Sequence, residues 1–332
     1  MQTPVWTKML ENRKEMTAQA WAKLSPVARW GYFANQSTLT MTLIPVALVG
    51  LLAWGEGSFS WFKWLAVAVG LVFAHAFNNQ INDFVDFERG VDHGDYIKEH
   101  VQQPPTMHGW MTRRQALVHM AVSGLIALAA GIVLVLTSGP LTVWLLVLGL
   151  LLDVFYVYPI KLVGLGELSI AVVWGPLMIG GGLYVLSGAW DWRAAIFGLA
   201  YSLTVTEVLL GRHLDKHAHD RRKKIFTLPV LLGERATRAL LAVLVVLQYA
   251  IIIGLVISGY FSPVILLVLA AAPLTLPMLA QAYLKPKPNP LPAGMPEAAA
   301  HMWYIAPALL HNMIFGAVLV IALLVETLAR VF

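Results

Sequence analysis

Apolar runs long enough to cross a bilayer follow one another along almost the whole of this chain, and no other feature restricts its fold as tightly. Crossing about 30 Å of hydrocarbon takes roughly 20 helical residues. Runs of about that length lie near 37–54, 62–82, 115–137, 141–158, 166–187, 194–211, 238–258, 261–282 and 304–328. The expected architecture is an all-α polytopic membrane protein with nine transmembrane helices, a single unit over residues 1–332. At 58% hydrophobic and 12% charged, the chain lies far outside the range of a soluble domain. The segment 1–36 has no cleavable leader pattern and is expected to lie along the membrane surface, with Trp6, Leu10, Trp21 and Leu24 facing lipid. The Pro-rich stretch at 284–303 is expected to be an extended linker into the last run.

Charge orients the bundle. With the N-terminus on the cytoplasmic side, 20 of the 23 Lys and Arg fall on that side, leaving Lys63, Arg193 and Arg330. The expected location is a bacterial or archaeal cytoplasmic membrane with the N-terminus and the polar loops facing the cytoplasm. Two polar stretches, 75–92 and 207–233, then open on that same face after the second and sixth runs. Ionisable groups at the end of a membrane span are costly and are retained mainly where they bind something. There is no cysteine, so oxygen and imidazole are the available ligands, which favours a hard cation such as magnesium.

In the first stretch His75, Asn79, Asn82 or Asp83, and Asp86 recur at intervals of three and four, on one side of a helix. Oxygens at that spacing suit a magnesium ion that takes further ligands from phosphate. A solvated helix end explains most isolated carboxylates. It does not explain Asn78, Asn79, Gln80 and Asn82 in the last turns of a span, where Leu would be cheaper. Gly90 ends the helix, with Glu88, Asp92 and Asp95 in or near the loop. In the second stretch Glu207, Gly211, Asp215 and His219 recur every four residues, followed by Asp220 and the basic run Arg221, Arg222, Lys223 and Lys224. Paired carboxylates can hold a second metal ion while these cations and Arg212 neutralise phosphate oxygens. Topology alone also accounts for the basic run.

Four ordered strings make the chain recognisable. NDFVDFERGVD at 82–92 resembles the first aspartate-rich signature of the UbiA superfamily of intramembrane prenyltransferases, in the form found in 1,4-dihydroxy-2-naphthoate prenyltransferases. HGWMTRRQA at 108–116, YPIKLVGLGEL at 158–168 and the stretch ending in TLPVLLG at 227–233 are similar to later signatures of the same superfamily. The resemblance implies a helical bundle around a central cavity opening near the cytoplasmic face. It also implies magnesium-dependent transfer of a prenyl group from an isoprenyl diphosphate to a lipophilic acceptor, an aromatic quinone precursor. Carried over by position, Asn82, Asp83 and Asp86 hold the first metal, and Asp215 and Asp220 belong to the second signature. Two departures stand out: Gly90 replaces an expected acid, and Asp215 and Asp220 are five apart with His219 at the usual position, so either His219 or Asp220 faces the metal. Asn79, Tyr158, Lys161, Arg212, His219 and the run Arg221 to Lys224 are the expected substrate contacts, Lys161 as a diphosphate partner. Tyr156, Tyr158 and Trp174 lie on runs that the resemblance places around the cavity, with Phe77 near the first metal stripe; packing or lipid contact is the simpler reading of each, and Glu167 could orient the acceptor or a basic partner. The expected partners are the isoprenyl diphosphate, the acceptor and the bilayer, with no nucleic acid. A terpene cyclase acting without acceptor, and a transporter with acid-lined walls, are the competing readings.

Overall fold

In a computed structural model, residue 7 and residues 16–89, 104–292 and 294–332 are described, and among them every regular element is helical. Nine helices follow the nine apolar runs: α1 (Gln36–Gly55), α2 (Trp61–Glu88), α3 (Arg113–Thr137), α4 (Leu141–Val157), α5 (Gly166–Ser187), α6 (Trp192–Asp215), α7 (Glu234–Ile257), α8 (Pro263–Tyr283) and α9 (Ile305–Val331). Helices satisfy every backbone group internally, which lipid demands. Eight of the nine are long and apolar enough to cross a membrane, whereas α4 has 17 residues and falls short of that length. The expected count of nine spans is therefore not reached on length.

Local chemistry marks the helix starts. Thr112 and Gln115 form a capping box at the head of α3, the Gln115 N–H donating to Thr112 Oγ1 and the Thr112 N–H to Gln115 Oε1. Asp191 caps α6 by accepting from the Arg193 N–H at 2.8 Å, and Ser262 with Pro263 opens α8. Within α5 the turns from Val173 to Gly180 are wound as π-helix around Pro176, which has no N–H to give the ladder.

Helix α6 is the hub, with 83% of its apolar stretch buried against 17% for α2 and for α3. It packs on α5, α7 and α9. Against α5 the approach is backbone to backbone: a Cβ on Gly198 would lie 2.7 Å from the Gly175 carbonyl oxygen. Small residues permit this closeness where no hydrophobic drive separates helices from lipid.

The N-terminal segment differs from expectation. Trp6 and Leu10 lie outside the described residues. Trp21 does not face lipid; it is buried, stacked on Trp110 at 6.1 Å and clustered with Phe33, Phe84 and Met111. The segment thus caps the end of α2 and the loop ahead of α3. Between α8 and α9 the Pro-rich stretch also folds back, its Lys287 N–H donating to Tyr304 Oη at 3.2 Å.

Candidate active site

The polar end of α2 does not present one continuous ligand stripe; its side chains diverge to three neighbours. His75 Nδ1 lies 2.7 Å from Thr42 Oγ1 of α1, with its ring edge-on to Trp174. Asn78 donates to the Asp153 carbonyl of α4 at 2.9 Å. Asn79, expected to touch substrate, instead donates to the Ala34 carbonyl and Thr38 Oγ1, which ties α2 to the start of α1. Only the last turn and a half faces the site. There Asn82 Oδ1 lies 2.9 Å from Lys161 Nζ, and both Asp86 oxygens lie 3.0 Å from it. Asp83 is buried beside them in sequence.

Lys161 is held by the turn between α4 and α5. After Pro159 the chain makes a short 3-10 turn, Ile160–Val163, and reverses at Gly164 with φ +76°, a left-handed conformation suited to glycine. This buries Lys161 opposite α2 while Arg89 stacks over the exposed Tyr158 ring at 4.0 Å. Next, Glu167 in the first turn of α5 pairs with His213 of α6, Oε1 to Nδ1 at 2.7 Å, both buried. Tyr156 packs on the same turn: a Cβ on Gly166 would lie 3.6 Å from its ring and 3.4 Å from the Lys161 backbone. The segment 156–167 therefore joins the polar ends of α2 and α6.

The second polar stretch splits between two faces of α6, and the fourfold stripe read from the sequence is the packing face. Glu207 accepts a short hydrogen bond from Gln248 of α7. A Cβ on Gly211 would meet the Tyr304 backbone at 2.9 Å. Asp215, expected to hold metal, takes the N–H groups of Tyr304 and Ile305 at 3.1 and 2.9 Å and caps α9. The preference of a helix N-terminus for an anion explains this placement. Beside it, Tyr304 Oη donates to Glu234 Oε1 at 2.9 Å; burial, reinforced by that bond, pushes this phenol above its ordinary range, so it stays a donor.

The other face leads to Asp220 on the short helix His217–Arg222. Asp220 is buried, with Oδ1 3.9 Å from Lys216 Nζ and Oδ2 without a hydrogen-bond partner among the described residues. His219 is half-buried next to it, while Arg221, Arg222, Lys223 and Lys224 are all exposed. Asp92 and Asp95 lie outside the described residues, and Glu88 pairs at 3.6 Å with Arg113 instead of turning inward.

A cavity of ≈580 Å³ runs between α2, α3, α4 and α5. Its walls are almost wholly apolar, with many Gly and Ala positions, and Trp174, Phe77 and Tyr156 supply aromatic faces. Tyr156 stands where the cavity meets the charged cluster. Asp153, which no motif singled out, also lines it.

The donor set suits a hard cation. Asn82 and Asp86 direct three oxygens at one cationic centre, the Lys161 ammonium, and Asp220 offers an unpartnered buried oxygen. Among the described residues no three His, Asp or Glu converge tightly enough to hold a metal by themselves. That is the usual case for magnesium, which binds through one or two carboxylates and completes its shell with water and substrate phosphate.

Known proteins share the sequence pattern and the fold. A 1,4-dihydroxy-2-naphthoate octaprenyltransferase of Mycobacterium tuberculosis is 30% identical over 266 residues, 76% of this chain and 85% of that protein. In fold, the chain is similar to a UbiA homolog from Aeropyrum pernix, TM-score 0.62 at 19% identity over 85% of this chain and 97% of that one. It is also similar to a UbiA homolog from Archaeoglobus fulgidus solved with GPP and Mg2+, TM-score 0.53 at 13% identity over 87% and 99%. Residues 43–305 match the UbiA prenyltransferase family, and the chain belongs to that family as an integral membrane prenyltransferase.

Proposed function

We propose that this enzyme moves an isoprenyl group from an isoprenyl diphosphate to an aromatic, hydroxylated quinone precursor, with the diphosphate at the Asn82–Asp86–Lys161 cluster and the prenyl chain in the apolar cavity. One observation carries the reading: two buried carboxylate oxygens and a part-buried amide oxygen converge on a buried ammonium, beside the turn against which Tyr156 of the cavity wall packs. Such a junction fits a ligand with a polyanionic head and a hydrocarbon tail. The naphthoate named for the mycobacterial relative, and the GPP and Mg2+ named for the archaeal neighbour, support the same pairing.

Asn82, Asp83 and Asp86 would hold magnesium on the α2 side, with Asp220 rather than Asp215 supplying the acid from beyond α6. A magnesium ion held by these residues would supply positive charge against that building on the departing diphosphate. Lys161 exchanges its carboxylate partner for phosphate oxygens, and Arg212 adds a second positive charge near Tyr156. The exposed run Arg221 to Lys224, with His219, draws the anionic donor to the mouth by long-range attraction. As the carbon–oxygen bond breaks, its electron pair leaves with the diphosphate. The allylic cation that remains is kept from water by the apolar walls and faced by Tyr156 and Trp174. The acceptor carbon then attacks, and the proton lost from the ring passes to the released diphosphate. With the positive end inward, this chemistry sits at the cytoplasmic face.

The test is incubation of purified protein with magnesium, isoprenyl diphosphates of several lengths, and 1,4-dihydroxy-2-naphthoate or 4-hydroxybenzoate. A prenylated acceptor with matching diphosphate release is expected, and chelation of magnesium should abolish both. Cyclised hydrocarbon formed without acceptor would establish the cyclase reading instead. As a family enzyme the chain is not a conduit.

A further inference from the structure

Asp153 is a carboxyl group where the wall of a hydrocarbon-binding cavity should have none. It lies on α4 one turn before the helix ends, on the face that also carries Gly149 and Tyr156, and it lines the cavity together with them. No cation pairs with it among the described residues. Its one fixed partner is Asn78, across the cavity wall on α2, whose amide donates to the Asp153 backbone carbonyl at 2.9 Å and sits against the side chain. A carboxyl in this setting is expensive, whether it is charged or merely polar. Replacing it with Leu would extend the apolar wall formed by Leu145, Leu146 and Leu150 without a gap in chemistry.

The position along the helix narrows the use. Tyr156 marks the mouth, packed against Gly166 next to the Lys161 backbone. Asp153 is three residues deeper, about 4.5 Å along the axis. A donor whose diphosphate sits at Lys161 places its reactive carbon near the mouth, so an aromatic ring attacking that carbon lies at the depth of Asp153. The cluster around Lys161 already holds the Asp86 carboxylate, so a further anionic group beside the phosphates is not called for. A carboxyl facing an acceptor can take a hydrogen bond from a hydroxyl, and it repels an acceptor's own carboxylate toward the cationic side.

We infer that Asp153 is a specificity-determining residue for the acceptor: its carboxyl oxygen accepts a hydrogen bond from a ring hydroxyl and sets which face of the ring meets the prenyl carbon. The inference rests on the transferase reading above and deepens it. Asn78 is then a positioning residue, holding the backbone of Asp153 in place.

The experiment compares one aromatic acceptor with a free hydroxyl against its O-methyl ether, in wild type, Asp153→Leu and Asp153→Asn. In wild type the hydroxyl form should win by roughly tenfold or more in kcat/KM, the scale of a hydrogen bond to a charged or buried polar group. Asp153→Leu should erase that preference while the KM for the isoprenyl diphosphate changes by less than about twofold and the melting temperature in detergent does not fall. Asp153→Asn, which keeps one acceptor oxygen, should retain part of the preference. An unchanged preference in Asp153→Leu overturns the inference, and so does a donor KM that rises as much as the acceptor KM. A wild type that prenylates no hydroxylated aromatic acceptor at all defeats the transferase assignment itself, a different and recognisable result.

Discussion

Lys161 is an ammonium in an unusual environment, buried and with three oxygens within 3.0 Å. A buried ion pair is weak evidence for stability, because the cost of removing two charges from water offsets most of their attraction. It is better explained as a site held ready, in which a phosphate can compete for the lysine while metal competes for the acids. Asp83→Ala and Asp86→Ala should each lower diphosphate release by about 10²-fold or more, the scale for deleting one electrostatic contact at a reacting centre. Circular dichroism and gel filtration in detergent should remain those of a folded protein. Release within a few-fold of wild type in both variants would remove the proposed metal site. The same proposal groups Asp220 with these two, since its second oxygen is buried and has no hydrogen-bond partner among the described residues. Asn79 does not, because both its contacts lie on the α1 side.

Helix α6 shows how an element can carry polar residues for two unrelated reasons. One face, Glu207, Gly211 and Asp215, faces the second half of the bundle. There Gln248 bridges Glu207 and His311, and His311 Nδ1 reaches Thr275 Oγ1 at 3.0 Å, so α6 to α9 share one buried polar network. Contacts of this kind hold helices together where lipid supplies no hydrophobic force between them. The opposite face, Arg212 and His213, looks toward Glu167 and the site. Asp215→Ala tests the division. As the loss of a cap on α9 it should reduce stability by about 1–2 kcal/mol, read as a lower melting temperature in detergent, with kcat of the surviving enzyme near wild type. A folded Asp215→Ala protein of unchanged melting temperature and no turnover would restore this residue to the metal site.

Across the whole molecule, the cavity and the charged cluster lie in the half built from α2 to α5, and the polar network and the hub α6 provide a rigid backing. Along α2 the cavity extends from Val67 to Asn78, about 16 Å of helix, which suits an extended isoprenoid tail. Leu71 lines its deeper part, so Leu71→Trp should shorten the longest isoprenyl diphosphate accepted while leaving turnover of the shortest one close to wild type. An unaltered length profile would show that the tail leaves by another route. Much of this arrangement was legible in the residues alone. The order of apolar runs dictated a helical membrane bundle, because predominantly apolar stretches of this length, one after another, are not accommodated in a soluble domain. The crowded amides and acids at 78–86 marked where α2 turns polar, but not their separate duties: Asn78 and Asn79 tie α2 to its neighbours, while Asn82 and Asp86 meet Lys161. Only the folded molecule decided which polar groups share a site. Helical periodicity aligns Glu207, Gly211 and Asp215 without saying whether that stripe meets a cavity or another helix. The insertion of Lys161 between Asn82 and Asp86, and the emergence of Asp153 in the cavity wall, depend on a turn that brings positions more than 70 residues apart within hydrogen-bonding distance.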